Sequence, residues 1–163
     1  ELKLEVEPGT FLVANAGCLL ATVRDVVDTG PEGYRFIKTD TGMTELLRPS
    51  IYGAQHPMWV VPGDAAPRDD AEYVVVGHCC ESGDVLTPAP GDPEGLAPRE
   101  LTEARPGDTL VIGGAGAYAA SMSTKNYNSF PEAPEVMLEP DGSTRLIRRR
   151  QTLEHMLANE APD

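Results

Sequence analysis

The chain has 163 residues, 40% of them hydrophobic, and 13 Lys and Arg against 26 Asp and Glu, a formal charge of −13. That is enough chain and enough apolar surface for one domain with a core, and not the composition of a disordered segment. Acidity on this scale repels phosphate backbones and anionic bilayers, which argues against nucleic acid or a membrane surface as partner, and no apolar run approaches the roughly 20 residues a transmembrane helix needs.

The chain starts at Glu1, with no basic stretch followed by the apolar run of a signal peptide. Leu2-Lys3-Leu4-Glu5-Val6 alternates and is expected as a strand with nothing before it, so the chain reads as a piece of a longer protein. Residues 10–16 are expected as a short helix after Pro8-Gly9. Residues 18–28 are apolar and β-branched, and Gly30-Pro31-Glu32-Gly33 turns them into Tyr34–Thr39, a hairpin. Strands are expected at 56–61, 72–77 and 109–112. Residues 87–107, with five prolines and three glycines, are expected as a long loop. Residues 135–139 and 144–149 flank Asp141-Gly142 as a second hairpin. Leu153, Met156 and Leu157 predict a short amphipathic helix capped by Thr152. Short strands with Gly and Pro punctuation predict a mainly β chain, a barrel or a sandwich.

Three cysteines, two of them adjacent, make no disulfide framework, and a reducing cytoplasm is the simple reading. Cys79-Cys80 beside His78 lacks the spacing of a zinc half-site, no second cluster stands elsewhere, and no metal is expected. Cys18 lies in an apolar run and is expected in the core. A lone cysteine reads first as buried filler. Cys80 differs in being followed by Glu81-Ser82-Gly83-Asp84 at a strand end, where side chains reach a site more often than a core. Gly114-x-Gly116-x-x-Ala119 loosely fits a dinucleotide fingerprint, but Pro131 and Pro134 and the lack of apolar periodicity argue against the helix that fingerprint needs. Its glycines still let a backbone approach a ligand, and Tyr118 adds a donor. Arg48 and Tyr52 bracket either a surface loop or a carboxylate grip. Arg148-Arg149-Arg150 reads as a solvated strand end, and no Gly-x-Ser-x-Gly elbow supports a serine hydrolase.

Taken in order, Glu7-Pro8-Gly9, Val13-Ala14-Asn15-Ala16-Gly17, Gly42-Met43, Arg48-Pro49, Tyr52-Gly53, Cys80-Glu81-Ser82-Gly83-Asp84, Gly116-Ala117-Tyr118 and Tyr127-Asn128 resemble one family. It is the diaminopimelate, ornithine and lysine decarboxylase family, pyridoxal-phosphate enzymes of the alanine-racemase-like class. The resemblance runs from about residue 5 to about residue 138. It implies residues 1–17 as the end of a cofactor-binding (β/α)8 barrel and residues 18–163 as a C-terminal Greek-key β-barrel or sandwich domain. The lysine that anchors the cofactor lies upstream in that family, so the piece alone is expected to be inactive.

The resemblance also assigns roles. Glu7 faces the ring nitrogen of pyridoxal 5′-phosphate, and Gly9, Thr10 and Tyr118 serve its phosphate. Cys80 is the proton donor, offered to the neighbouring subunit of a homodimer. Glu81 takes the distal ammonium of a diamino acid, and Arg48 and Tyr52 hold a distal carboxylate. The family's Glu-Pro-Gly-Arg has Thr10 in fourth place here, which removes a charge and a fork. That loss fits ornithine or lysine, whereas Arg48 fits diaminopimelate, and diaminopimelate ranks first. A non-catalytic β-barrel module for dimerisation or regulation is the competing class.

Overall fold

The computed structural model describes residues 2–161. In chain order the elements are α1 (Gly9–Val13), β1 (Leu19–Asp28), β2 (Arg35–Thr39), α2 (Arg48–Tyr52), β3 (Met58–Val61), β4 (Asp70–Val76), β5 (Pro88–Ala89), β6 (Asp92–Leu96), β7 (Arg99–Thr102), β8 (Thr109–Ile112), β9 (Glu135–Leu138), β10 (Thr144–Arg148) and α3 (Leu153–Met156). Six strands form one sheet in the order β3-β8-β1-β2-β4-β7. Its edges, β3 and β7, come back into contact, so the sheet curls almost into a barrel. No helix among the described residues is long and apolar enough to cross a membrane.

Period-two patterning sets the inner face. Met58 and Val60 are buried while Trp59 and Val61 between them are exposed. Register then stacks Met58, Ile112 and Leu19 in one row and Val60, Leu110 and Ala21 in the next. Ile37, Tyr73, Val75, Leu46, Leu86 and Leu101 complete this core. Each large side chain buried there contributes about 1.5–3 kcal/mol. The hairpin joining β1 and β2 pairs Asp28 with Arg35, and its turn closes with Gly30 at φ 95°, a conformation that glycine adopts without a Cβ penalty.

One pair, β2 with β4, is parallel. A parallel pair needs a crossover, and residues 40–69 supply it, carrying α2 and β3. The crossover turns at a corner built on Asp108. This buried carboxylate accepts the N–H groups of Gly63 at 2.9 Å and Arg105 at 2.7 Å, and pairs with the equally buried Arg68 guanidinium. Burial alone would raise the Asp108 carboxyl, but the Arg68 fork and the two backbone donors outweigh it and hold it below its ordinary value.

Several expectations change. Leu2–Val6 forms no strand and its apolar side chains stand exposed, because alternation makes a strand only where a neighbour offers a ladder. Residues 87–107 are not a long loop but hold β5, β6 and β7. Pro88 and Pro93 sit in a two-stranded ribbon, and β7 is a sheet edge, the places where a missing N–H is tolerated. Arg48–Tyr52 forms the helical turn α2 and not a plain loop. Cys18 is exposed at the mouth of β1, not in the core. The hairpins, the strands near 56–61, 72–77 and 109–112, and the Thr152 cap on α3 stand as expected. The β9–β10 ribbon is a separate sheet, with Val136, Leu138 and Leu146 exposed.

Candidate active-site face

Three loops leave the sheet and meet. One is the start of the crossover, residues 40–47, leading into α2. The second is the turn 77–84 after β4. The third is the long segment 113–130 after β8.

On α2, Arg48 and Tyr52 are four residues apart and share a face. The Arg48 guanidinium carbon lies 5.2 Å from the Tyr52 ring centroid and 5.5 Å from that of Tyr118. Two phenols thus hold the cation over their faces. Among the described residues its fork makes no hydrogen bond or ion pair, so it is oriented but chemically free. Tyr118 is half exposed and has φ 54°, a strained value for a bulky residue. Asn126, Asn128 and Ser129 share the left-handed region, so this third loop concentrates the positive-φ non-glycine residues of the described chain. Backbone strain of this kind persists only where the surroundings enforce it.

The turn 77–84 is organised by Asp84, 3% exposed. Its carboxylate accepts the N–H of Cys79 at 2.8 Å and, across 41 residues, that of Met43 at 2.7 Å. A Cβ on Gly77 would stand 2.2 Å from that carboxylate and one on Gly42 2.4 Å, so both glycines exist to admit it. The adjacent cysteines end up unlike each other. Cys79 is partly buried, and desolvation together with the Asp84 charge pushes its thiol up to about 12. Cys80 is exposed at the tip. Glu81 is also exposed. Hydrogen bonds from the Gly83 N–H at 3.0 Å and then the Tyr127 hydroxyl at 3.3 Å hold its carboxyl below the ordinary range. Tyr127 in turn is pushed up, by desolvation first and the Glu81 charge second.

The N-terminal segment is pinned beside Tyr118. Gly116 N–H donates to Ala14 O and Ala115 N–H to Gly17 O, both at 2.9 Å. A Cβ on Gly116 would sit 1.9 Å from Val13 O, so only glycine permits the approach. Glu7, Gly9 and Thr10 are exposed, and a Cβ on Gly9 would meet nothing. These residues fit a phosphate-bearing ring. The free Gly9 backbone, the Thr10 hydroxyl, the Tyr118 phenol and the unpaired Glu7 carboxylate stand on two segments that backbone hydrogen bonds hold together. Among the described residues no three His, Cys, Asp or Glu side chains form a metal-binding group.

Of the residues singled out in the sequence, Arg48, Tyr52 and Tyr118 are brought together directly, and Cys80 and Glu81 share one turn. Two participants carry no role from the sequence. Tyr127 was visible only as one element of the motif series and emerges as the partner of Glu81. The hydrogen-bonded chain Glu45–Thr44–His78, with Glu45 and Thr44 buried and the half-buried His78 stacked on Phe130 at 3.6 Å, ties the turn to the crossover. Buried Thr and Glu in a polar stretch give a sequence no signal for such a network.

Comparison with known proteins bears on this arrangement. Diaminopimelate decarboxylase of Escherichia coli K12 is 46% identical over 162 residues, 98% of this chain and 37% of that protein. The chain therefore spans little more than a third of the relatives it matches. A crystal structure of diaminopimelate decarboxylase superimposes with TM-score 0.81 at 43% identity, covering 92% of this chain and 35% of that one. Diaminopimelate decarboxylase of Helicobacter pylori, solved with L-lysine, gives 0.76 at 35% identity over 93% of this chain and 34% of its own. Residues 10–116 match the family described as pyridoxal-dependent decarboxylase, C-terminal sheet domain, and the chain belongs to it.

Proposed function

We propose that this chain supplies the sheet-domain half of the active site of a pyridoxal-dependent decarboxylase that converts meso-diaminopimelate to lysine and CO2. The observation that carries the reading is the Arg48 fork, held between Tyr52 and Tyr118 with no hydrogen-bond or ion-pair partner among the described residues. An unpaired, oriented guanidinium suits a substrate with a carboxylate at its far end, and the Glu81 carboxylate suits an ammonium there. The L-lysine in the Helicobacter pylori structure supports a diamino acid as ligand.

Glu7, Gly9, Thr10 and Tyr118 would hold pyridoxal 5′-phosphate, residues 1–17 serving as the end of the barrel that carries the rest of its site. When bound, that group supplies an electron sink for the pair left as CO2 departs. The residues of this chain do the remainder. Arg48, with Tyr52, binds the distal carboxylate. Glu81, kept ionised by the Gly83 N–H and the Tyr127 hydroxyl, binds the distal ammonium. The two contacts together fix which α-carbon faces the thiol. Cys80 Sγ then gives its proton to the carbon that has lost CO2, and solvent restores it. Cys80 sits exposed at the tip of its turn, as a donor offered to a neighbouring subunit must. In this reading the active form is a cytoplasmic homodimer with shared sites.

The test is CO2 release by the full-length protein with meso-diaminopimelate, L-lysine and L-ornithine. The expected result is a kcat/KM for diaminopimelate at least ~100-fold above the other two, the scale of one charged contact left unpaired. The 163-residue chain alone is expected to release none. Preference for ornithine or lysine would assign the site to the basic diamino acids. No turnover of any of the three would favour a non-catalytic module.

A further inference from the structure

The β9–β10 ribbon has one face whose charges the chain pairs and one face that it leaves bare. Alternation puts Glu135, Met137 and Glu139 on one side, where Glu135 meets Arg148 at 3.1 Å and Glu139 meets Arg145 at 2.8 Å. The other side carries Val136, 61% exposed, Leu138, 70% exposed, and Leu146, which stands opposite Val136 in register and is 54% exposed. A two-stranded ribbon is marginal in water unless something packs on its apolar face. The base of this one is firmly held. Glu132 N–H donates to Gln151 Oε1 at 3.0 Å, Gln151 N–H to Glu132 O at 3.1 Å, and Arg148 Nε to Ala133 O at 3.2 Å. The aliphatic face is thus presented at a fixed place.

Two observations bear on what covers it. At the base, Pro131, Ala133 and Arg150 line one side of a cleft of about 310 Å³, and Leu19 and the 62% exposed Leu20 of β1 line another. β1 begins directly after the N-terminal segment, whose Ala14 and Gly17 carbonyls are bonded to Gly116 and Ala115. The chain matches a C-terminal sheet domain and spans 37% of the Escherichia coli relative. In a protein of that length the remaining chain enters through residues 2–17 and arrives beside this cleft. The second observation is size. Three aliphatic side chains and Leu20 fall far short of the roughly 20–30 residues a side that a stable interface between separate chains uses. A domain tethered next to the patch needs less, because its effective concentration is on the order of millimolar.

We infer that the aliphatic face of β9–β10, continued across the cleft to Leu20, is the seat of the part of this protein's own chain that precedes Glu1. The inference rests on the chain being one part of the longer enzyme proposed above, and on neither its substrate nor its chemistry. Docked there, the upstream domain supplies the layer that the ribbon lacks.

The experiment is hydroxyl-radical footprinting of the full-length protein, read residue by residue by mass spectrometry and normalised to each side chain's intrinsic reactivity. Met137, on the charged face of the same strand, is the internal reference. Val136, Leu138 and Leu146 are expected to be labelled ~5-fold or more below Met137, although all three are more exposed than Met137 in this chain. Leu138→Lys is expected to bring Val136 and Leu146 up to the Met137 level. It should also speed proteolytic cleavage within residues 2–17 by ~10-fold, the scale of one buried leucine returned to water. Met137→Lys should change neither. Labelling of the three at the Met137 level in the unsubstituted protein overturns the inference. So does protection that disappears when the protein is diluted to monomers, which assigns the seat to a second copy. If Leu138→Lys does not fold, labelling of the unsubstituted protein above and below the dissociation of its dimer decides alone. A protein that decarboxylates no diamino acid ends the proposed function and leaves the footprint to decide the seat. Full labelling of the face in an active enzyme ends only the inference.

Discussion

Two buried aspartates in tight turns, Asp108 and Asp84, perform the same local act with opposite surroundings. Each is 3% exposed and each accepts two backbone N–H groups. Asp108 also meets Arg68, whose side chain is 2% exposed, so charge is balanced inside the corner that turns the crossover. Asp84 has no cation bound to it among the described residues, and glycines at 42 and 77 give it room. The scaffold corner is electrically closed, whereas the Asp84 carboxylate in the site turn is held by the backbone N–H groups of Met43 and Cys79. That leaves the cationic fork of Arg48 and the exposed tip at Cys80-Glu81 free for something else.

The contrast breaks most visibly at Asp108. Asp108→Ala removes the buried partner of Arg68 and leaves that guanidinium only the half-exposed Asp64 at 3.1 Å, so it is expected to lower Tm, by up to about 3–5 kcal/mol of stability, with KM unchanged below the transition. Because the Asp108 carboxyl is held low in the folded state, its contribution is present above the ordinary carboxylate value near ~4 and is lost as pH falls through the folded value. Acid unfolding of Asp108→Asn should accordingly show a shallower pH dependence than that of the parent.

On the site side, Arg48→Ala in the full-length protein is expected to lower kcat/KM for diaminopimelate by ~10- to 100-fold, mostly through KM, while leaving Tm within a few degrees. Arg48→Lys should recover little, because a point charge lacks the fork that two rings orient. Tyr127→Phe is smaller. It removes one of the hydrogen bonds that lower the Glu81 carboxyl, so KM should begin to rise at a higher pH on acidification than in the parent. Identical KM–pH profiles would remove Tyr127 from the site. Smallest in consequence is the chemistry of the paired cysteines. Iodoacetamide at pH 8 should label exposed Cys18 and Cys80 and spare Cys79, whose thiol is pushed up to about 12 by burial and Asp84. Equal labelling of Cys79 would mean that the turn is not held as described.

What was legible in the sequence is what depends on neighbours along the chain. Met58–Val61 and Thr109–Ile112 announce strands by alternation, and Asp141-Gly142 announces its hairpin. Thr152 announces its cap. The illegible parts depend on partners far away. Proline in β5 and β6 disguised a ribbon as a loop, since its tolerance rests on edge position and not on composition. Leu2–Val6 has the right pattern and no partner strand among the described residues. Cys18 looked internal from its apolar neighbours, but it lies where the sheet gives way to the N-terminal segment. The site divides the same way. Cys80, Glu81, Arg48, Tyr52 and Tyr118 were read as pieces of a motif series, whereas the contact between Asp84 and Met43 spans 41 residues and leaves only two glycines as its trace.

The most direct measurement concerns Cys80. Full-length Cys80→Ala is to be turned over with meso-diaminopimelate in deuterated solvent, following the rate and the stereochemistry of deuterium at the carbon that lost CO2. The account predicts a fall of about 100-fold or more in kcat, or deuterium scrambled between the two faces, with cofactor still bound. Normal turnover with unchanged stereochemistry would contradict it and take the proton donor away from this chain.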